Sequence, residues 1–201
     1  MLEHGINFRS AESQKEYFAA YEKTMKLFQV KIQEEYVDAE FGKTYVIKAG
    51  DASKPPLVLL HAASCGSPIW YKNFDELSKH FSLYAIDLIG ETSKSLMQKK
   101  MKNASDNANW IEQTLDGLGL DKVSFPRWLK ERQLRGIDMP VLVLLGENEF
   151  AFHVYKAVRR ARRCIANLEI EIIKDASHLI PVSKPEYVNR KIMEFVNARM
   201  R

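Results

Sequence analysis

Apolar positions along the chain follow two rhythms. Tyr17, Tyr21, Met25 and Phe28 recur at steps of three and four, which puts them on one helix face and predicts an amphipathic helix over 13–27. Two strand-like blocks follow at 35–41 and 44–49, joined at Gly42-Lys43. Gly50-Asp51 and Pro55-Pro56 supply turn chemistry. Leu57-Val58-Leu59-Leu60 is apolar without a break, which suits a central strand buried on both faces. Helix is predicted over 69–81, strand over 82–87, and a polar surface segment over 91–102. The helix predicted over 105–118 meets its stop at Gly117 and Gly119. Beyond it come a helical stretch at 128–134, a buried strand at 141–145, a helix at 152–165 and a strand at 169–174. A closing helix at 185–200 carries Val188, Ile192, Phe195 and Val196 on one face.

Strands alternating with helices predict an α/β layered fold with a mostly parallel sheet. The length, 201 residues, suits one domain with a full core, with residues 1–30 as an N-terminal helical extension. Composition is that of an ordinary globular protein, 46% hydrophobic and 28% charged. A net charge of +4 is too small to make nucleic acid the default partner, and none is expected. Apolar runs such as 56–60 are too short to cross a bilayer, and no membrane partner is expected. Cys65 and Cys164 stand far apart and outside any C-x-x-C pair, and the N-terminus is polar. Those features predict a cytoplasmic protein without a disulfide framework.

His4, His61, His80, His153 and His178 lack the spacing of a metal site, and no G-x-G-x-x-G or G-K-[ST] phosphate loop occurs. No metal or cofactor is therefore expected. Arg159-Arg160-Ala161-Arg162-Arg163 is the one notable charge cluster. It reads either as the solvated face of a helix or as a site for an anion or polyanion.

Three segments, in order, resemble the α/β-hydrolase family and in particular its bacterial carboxylesterase-like members. Leu57-Val58-Leu59-Leu60-His61-Ala62-Ala63-Ser64 is similar to the strand and His-Gly loop that supplies an oxyanion-hole N–H, with Ala62 where the family usually has Gly. Leu83-Tyr84-Ala85-Ile86-Asp87-Leu88-Ile89-Gly90 resembles the next strand and its Asp-x-x-Gly turn. Pro140-Val141-Leu142-Val143-Leu144-Leu145-Gly146-Glu147-Asn148-Glu149 resembles the strand and turn of the triad acid, and Asp175-Ala176-Ser177-His178 the loop of the triad histidine. The resemblance implies a three-layer α/β-hydrolase-like fold, with His61, Ala62 and Ala63 as oxyanion loop, Glu149 as acid and His178 as base.

The family's chemistry also needs a nucleophile on a sharp strand-to-helix turn, G-x-S-x-G. The glycines stand at 5, 42, 50, 66, 90, 117, 119, 136 and 146, and no two are four apart, so the sequence holds no such motif. Gly117-Leu118-Gly119-Leu120-Asp121-Lys122-Val123 resembles the approach to the nucleophile strand, yet Phe125-Pro126-Arg127-Trp128 resembles what normally follows the cap. The expectation is a single domain shortened by an internal deletion near 124–125, without the central strands, elbow and cap. The strands at 57–60 and 141–145 would then pair directly or expose edges that promote self-association.

Such a protein is expected to be catalytically inactive, a pseudoenzyme of serine-esterase ancestry in which His178 and Glu149 are vestigial. Three other readings stand beside it. Ala62-Ala63-Ser64-Cys65-Gly66 is small-x-Ser-x-Gly after a buried strand, so Ser64 could replace the nucleophile and act with His178 and Glu149 on a small-molecule ester. Cys65 could act as a thiolate, although a packed loop residue is the simpler assignment. A non-enzymatic interaction module built on the remaining sheet and the arginine-rich helix is the other possibility.

Overall fold

A computed structural model describes residues 3–4, 8–61, 65–120, 135, 140–149 and 152–199. The chain divides into two compact units, Met1–Arg127 and Trp128–Arg201. The expected junction near 124–125 and the predicted helix at 128–134 lie outside the described residues.

The first unit is built on a sheet of strands β1 (Glu3–His4), β2 (Gln33–Ala39), β3 (Gly42–Ala49), β4 (Pro56–Leu60), β5 (Ser82–Ile86) and β6 (Leu96–Met97). Their order is β1-β6-β3-β5-β4, with β2 also on β3. β2 and β3 form an antiparallel pair from Gln33↔Lys48 to Ala39↔Gly42. The parallel pairing begins with β4 on β5, in register from Pro56↔Ser82 to Leu60↔Ile86. β5 is buried along its whole length, whereas β4, predicted to be a central strand buried on both faces, ends this strand order and is only half-buried at Leu57, Val58 and Leu60, because β5 is its one ladder partner among the described residues.

Helices cover both faces. On one lie α1 (Ala11–Met25) and α2 (Tyr71–Ser78), the latter preceded by a 3₁₀ turn at Ser67–Trp70. Ser10 caps α1 in a reciprocal box with Ser13, so the helix starts two residues before the apolar stripe suggests. Tyr21 of α1 meets Tyr45 of β3 edge to face, and Phe28 meets Phe74 of α2 in the same way. The opposite face receives α3 (Ala104–Gly117). Its Trp110, Ile111 and Leu115 pack on Val37, Phe41, Val46 and Ile86. Trp110 Nε1 donates to Thr44 Oγ1 at 2.7 Å, and the buried Thr114 hydroxyl lies 3.1 Å from the same oxygen, so the three polar side chains are satisfied together.

Segment 91–102 departs from its predicted surface character. Ser93 and Ser95 are buried, and Leu96–Met97 forms β6 between β1 and β3. Ser95 Oγ receives the N–H of Tyr45 at 2.9 Å and donates to the carbonyl of Asp87 at 2.7 Å. Buried serines that satisfy backbone groups look identical in sequence to exposed ones.

The second unit holds the parallel pair β7 (Val141–Gly146) and β8 (Leu168–Ile173), in register from Val141↔Leu168 to Gly146↔Ile173. Helix α4 (Val154–Cys164) lies on β8 and buries Val154, Val158 and Cys164. The short α5 (Ile180–Ser183) leads into α6 (Pro185–Asn197). Carboxylates on alternate positions of β8 are held by the α6 end of the chain. Glu171 pairs with Lys191 at 3.0 Å and Tyr187, and Glu169 pairs with Arg199.

Candidate functional site

Each unit holds a cluster of candidate residues, described by itself. In the second unit, the turn after β7 and the loop after β8 are stitched together by backbone bonds. Glu147 N–H donates to the Ile173 carbonyl at 3.0 Å, and Asn148 N–H donates to that of Ala176 at 2.8 Å. Asp175 sits at φ 55°, a left-handed conformation that a short polar side chain tolerates, and its N–H donates to Glu147 Oε2. Gly146 allows the close approach. A Cβ there would stand 2.5 Å from the carbonyl oxygens of both Ala176 and Ser177.

These bonds bring the two candidate residues together. Glu149 Oε2 lies 2.7 Å from His178 Nδ1, a length typical of a charge-assisted bond. The Glu149 side chain is 4% exposed and that of His178 18%. An ionised carboxylate can only accept, so it selects the tautomer with the proton on Nδ1. Nε2 is then the basic nitrogen, as in an acid–base pair of the serine-hydrolase type. The pairing predicted from the resemblance is thus present in the fold.

In the first unit, β4 and β5 run side by side and deliver His61 and Asp87 to the same end of the sheet. His61 is buried, and its Nε2 accepts the N–H of Leu88 at 2.9 Å. That bond occupies Nε2 as an acceptor, so the His61 ring ties the strand end to the Asp87 turn. Ala62, Ala63 and Ser64 lie outside the described residues.

Asp87 is the hub of this part and is fully buried. Its Oδ1 accepts from the N–H and the hydroxyl of Ser67, both at 2.6 Å. Its Oδ2 accepts from Tyr21 at 2.9 Å and from the N–H of Lys94 at 2.7 Å. Four donors offset the desolvation of a carboxylate that would otherwise be costly to bury. Burial, and then the charge of Asp87, raises the Tyr21 phenol far above its ordinary range, so it remains a proton donor.

Sequence patterns did not single out Ser67, Tyr21 or Lys94 for this role. Tyr21 lies on the apolar stripe of its helix and reads there as core, and 66 residues separate it from Asp87.

Cys65 is half buried, and burial followed by Glu91 raises its thiol. The thiolate is therefore disfavoured, and the environment suits a packed loop residue better than a nucleophile. Among the described residues, no group of three or more His, Cys, Asp or Glu is placed to hold a metal ion. No described helix is long and apolar enough to cross a membrane.

Known proteins resemble this chain along nearly its whole length. No family model matches. A carboxylesterase of Bacillus subtilis, YbfK, is 23% identical over 291 residues, covering 98% of each chain. The uncharacterized carboxylesterase nap of the same organism is 24% identical, covering 90% of this chain and 92% of its own. The crystal structure of carboxylesterase CesB (YbfK) superposes with a TM-score of 0.84 over 92% of this chain and 99% of that one. That of naproxen esterase, also from Bacillus subtilis, does so at 22% identity with a TM-score of 0.83, covering 94% and 100%. The chain is thus an α/β-hydrolase by fold. Its sequence is similar to those of bacterial carboxylesterases.

The YbfK alignment runs over 291 positions while the chain has 201 residues, so at least 90 of those positions hold no residue of this chain.

Proposed function

We propose that this chain is a shortened carboxylesterase-like protein that retains the acid–base pair of the family and lacks its nucleophile, and so does not hydrolyse esters by a triad mechanism. The observation that carries this reading is the intact Glu149–His178 pair in a sequence with no G-x-S-x-G. The unmatched alignment positions support a missing internal block, whose expected site is near 124–125. Without the elbow there is no serine to form an acyl-enzyme. The second oxyanion donor, the N–H of the residue after that serine, is absent with it. His178 is then a base with no proton to take from a nucleophile. The role of such a protein lies in binding, as an interaction module, and a cytoplasmic setting fits its two unpaired thiols.

One observation favours a second reading. The pair is oriented as a working base requires, and Ser64 follows the oxyanion strand, so Ser64 with His178 and Glu149 could form an esterase on a small ester substrate. Hydrolysis of a short p-nitrophenyl ester separates the two. The expected result is one rate shared by the unsubstituted protein, Ser64→Ala and His178→Ala. Turnover abolished by both substitutions would make Ser64 a relocated nucleophile and overturn the proposal.

A further inference from the structure

The outer face of α4 is the most strongly charged surface of the second unit. Lys156, Arg159, Arg160, Arg162 and Arg163 are all exposed, and the helix holds no acidic residue. Five cations fall within about 10 Å of helix at 1.5 Å per residue. They form two stripes at helical spacing, Tyr155-Arg159-Arg162 and Lys156-Arg160-Arg163.

The apolar side of α4 is committed to its own unit through Val154, Val158 and Cys164. The β8 carboxylates Glu169 and Glu171 are held by Arg199, Lys191 and Tyr187. Among the described residues, Lys156, Arg159 and Arg162 form no ion pair.

At the helix N-terminus two aromatic rings join the basic stripe. Tyr155 is 63% exposed and Phe152 is 43% exposed. Their exposure has no folding rationale, since neither adds to the core. Arginine's planar fork matches phosphate oxygens better than lysine's ammonium does. Amphipathic rings beside it suit the headgroup level of a bilayer, where one end of a ring is wet and the other apolar.

We infer that the exposed face of α4, with Phe152 and Tyr155 at its end, is a docking surface for a phosphate-bearing anionic bilayer. The face lies on the membrane and does not span it. The expectation of no membrane partner rested on the shortness of the apolar runs, and peripheral attachment needs no such run. Each cation near an anionic surface contributes about five-fold to partitioning. This inference is independent of whether Ser64 is a nucleophile, because α4 holds none of the candidate catalytic residues.

The test is co-sedimentation of the full chain with vesicles of phosphatidylglycerol and phosphatidylcholine, beside vesicles of phosphatidylcholine alone. The expected result is binding to the anionic vesicles only, lost at about 1 M salt, where charges are screened within about 3 Å. Arg159→Glu with Arg162→Glu should lower partitioning by at least about 25-fold. Phe152→Ala with Tyr155→Ala should weaken binding while preserving its salt dependence. Lys23→Glu with Lys26→Glu, exposed on α1 and of equal net-charge change, should leave it nearly unchanged. Unaltered far-ultraviolet circular dichroism and thermal midpoint verify that each variant folds. Failure to bind anionic vesicles, an equal loss in the α1 variant, or tighter binding to a single-stranded oligonucleotide than to the vesicles would each overturn the inference.

Discussion

A carboxylate and an imidazole 29 residues apart meet at 2.7 Å where β7 ends in a glycine that lets the histidine loop approach. At Gly146 a β-carbon would strike two carbonyl oxygens of the histidine loop, and that of Ala176 is held by the Asn148 N–H. Gly146→Ala is therefore expected to lower stability by about 2–4 kcal/mol, as overpacking against backbone does. Urea denaturation measures that loss, and an unchanged midpoint would mean that the loop yields.

Asp87 leads to a different expectation. Burial raises the phenols of Tyr17, Tyr21 and Tyr45, with Asp87 contributing at all three and the Glu34 bond coming before it at Tyr45. In the unfolded chain the same phenols ionise near pH 10.0. Raised acids of this kind contribute full stability below pH 10, and it falls as pH climbs beyond that value because only the unfolded chain releases protons. Denaturation midpoints should be level through neutral pH and drop above pH 10. In Tyr21→Phe the alkaline drop should be shallower. An alkaline limb of unchanged slope would show that Tyr21 is not the group responsible. Glu149 and His178 were legible in sequence because each closes its own strand and turn. The ring of donors around Asp87 was not, because Ser67, Tyr21 and Lys94 come from three separate segments.

Among the elements, the long ones follow hydrophobic rhythm closely and the short ones do not. Strands β3, β4, β5, β7 and β8 fall within a residue or two of their predicted spans, since each has a period that one or two buried faces impose. The two-residue strand β6 has no period to read. It exists because Gly42, at φ 141°, lets the chain of Leu96 approach where a β-carbon would stand 2.0 Å from its carbonyl oxygen. Gly42→Ala should release β6 from β3 and cost about 2–4 kcal/mol, combining strain at positive φ with a backbone clash. Hydrogen exchange should report it as faster exchange at Lys43 and Gln98, and unchanged protection there would refute the assignment. Helix ends show the same limit. α1 begins at Ala11 because Ser10 and Ser13 cap each other, a contact between polar residues that the apolar stripe does not include.

For the whole molecule, what matters is which strands have neighbours. β4 ends the strand order of the first sheet, and β7 has β8 as its only ladder partner among the described residues. Both are apolar runs of the kind that normally sits inside a parallel sheet. The proposed loss of the strands between them predicts self-association through sheet edges. Sedimentation velocity should then show mass rising with protein concentration, and Leu57→Lys on β4 should shift the distribution toward monomer, because an edge lysine opposes strand addition. A monomer at every concentration would mean that the edges are covered. Sequence alone determined the alternation of strands and helices, the absence of G-x-S-x-G, and which acid and base are the candidates, because periodicity and motif spacing are local properties of the chain. Only the tertiary structure decided that Glu149 and His178 form a tautomer-selecting bond, that Asp87 is held by four donors, and that Lys156, Arg159 and Arg162 of α4 form no ion pair among the described residues. Those facts depend on distances between residues remote in sequence, which packing sets and no local pattern encodes.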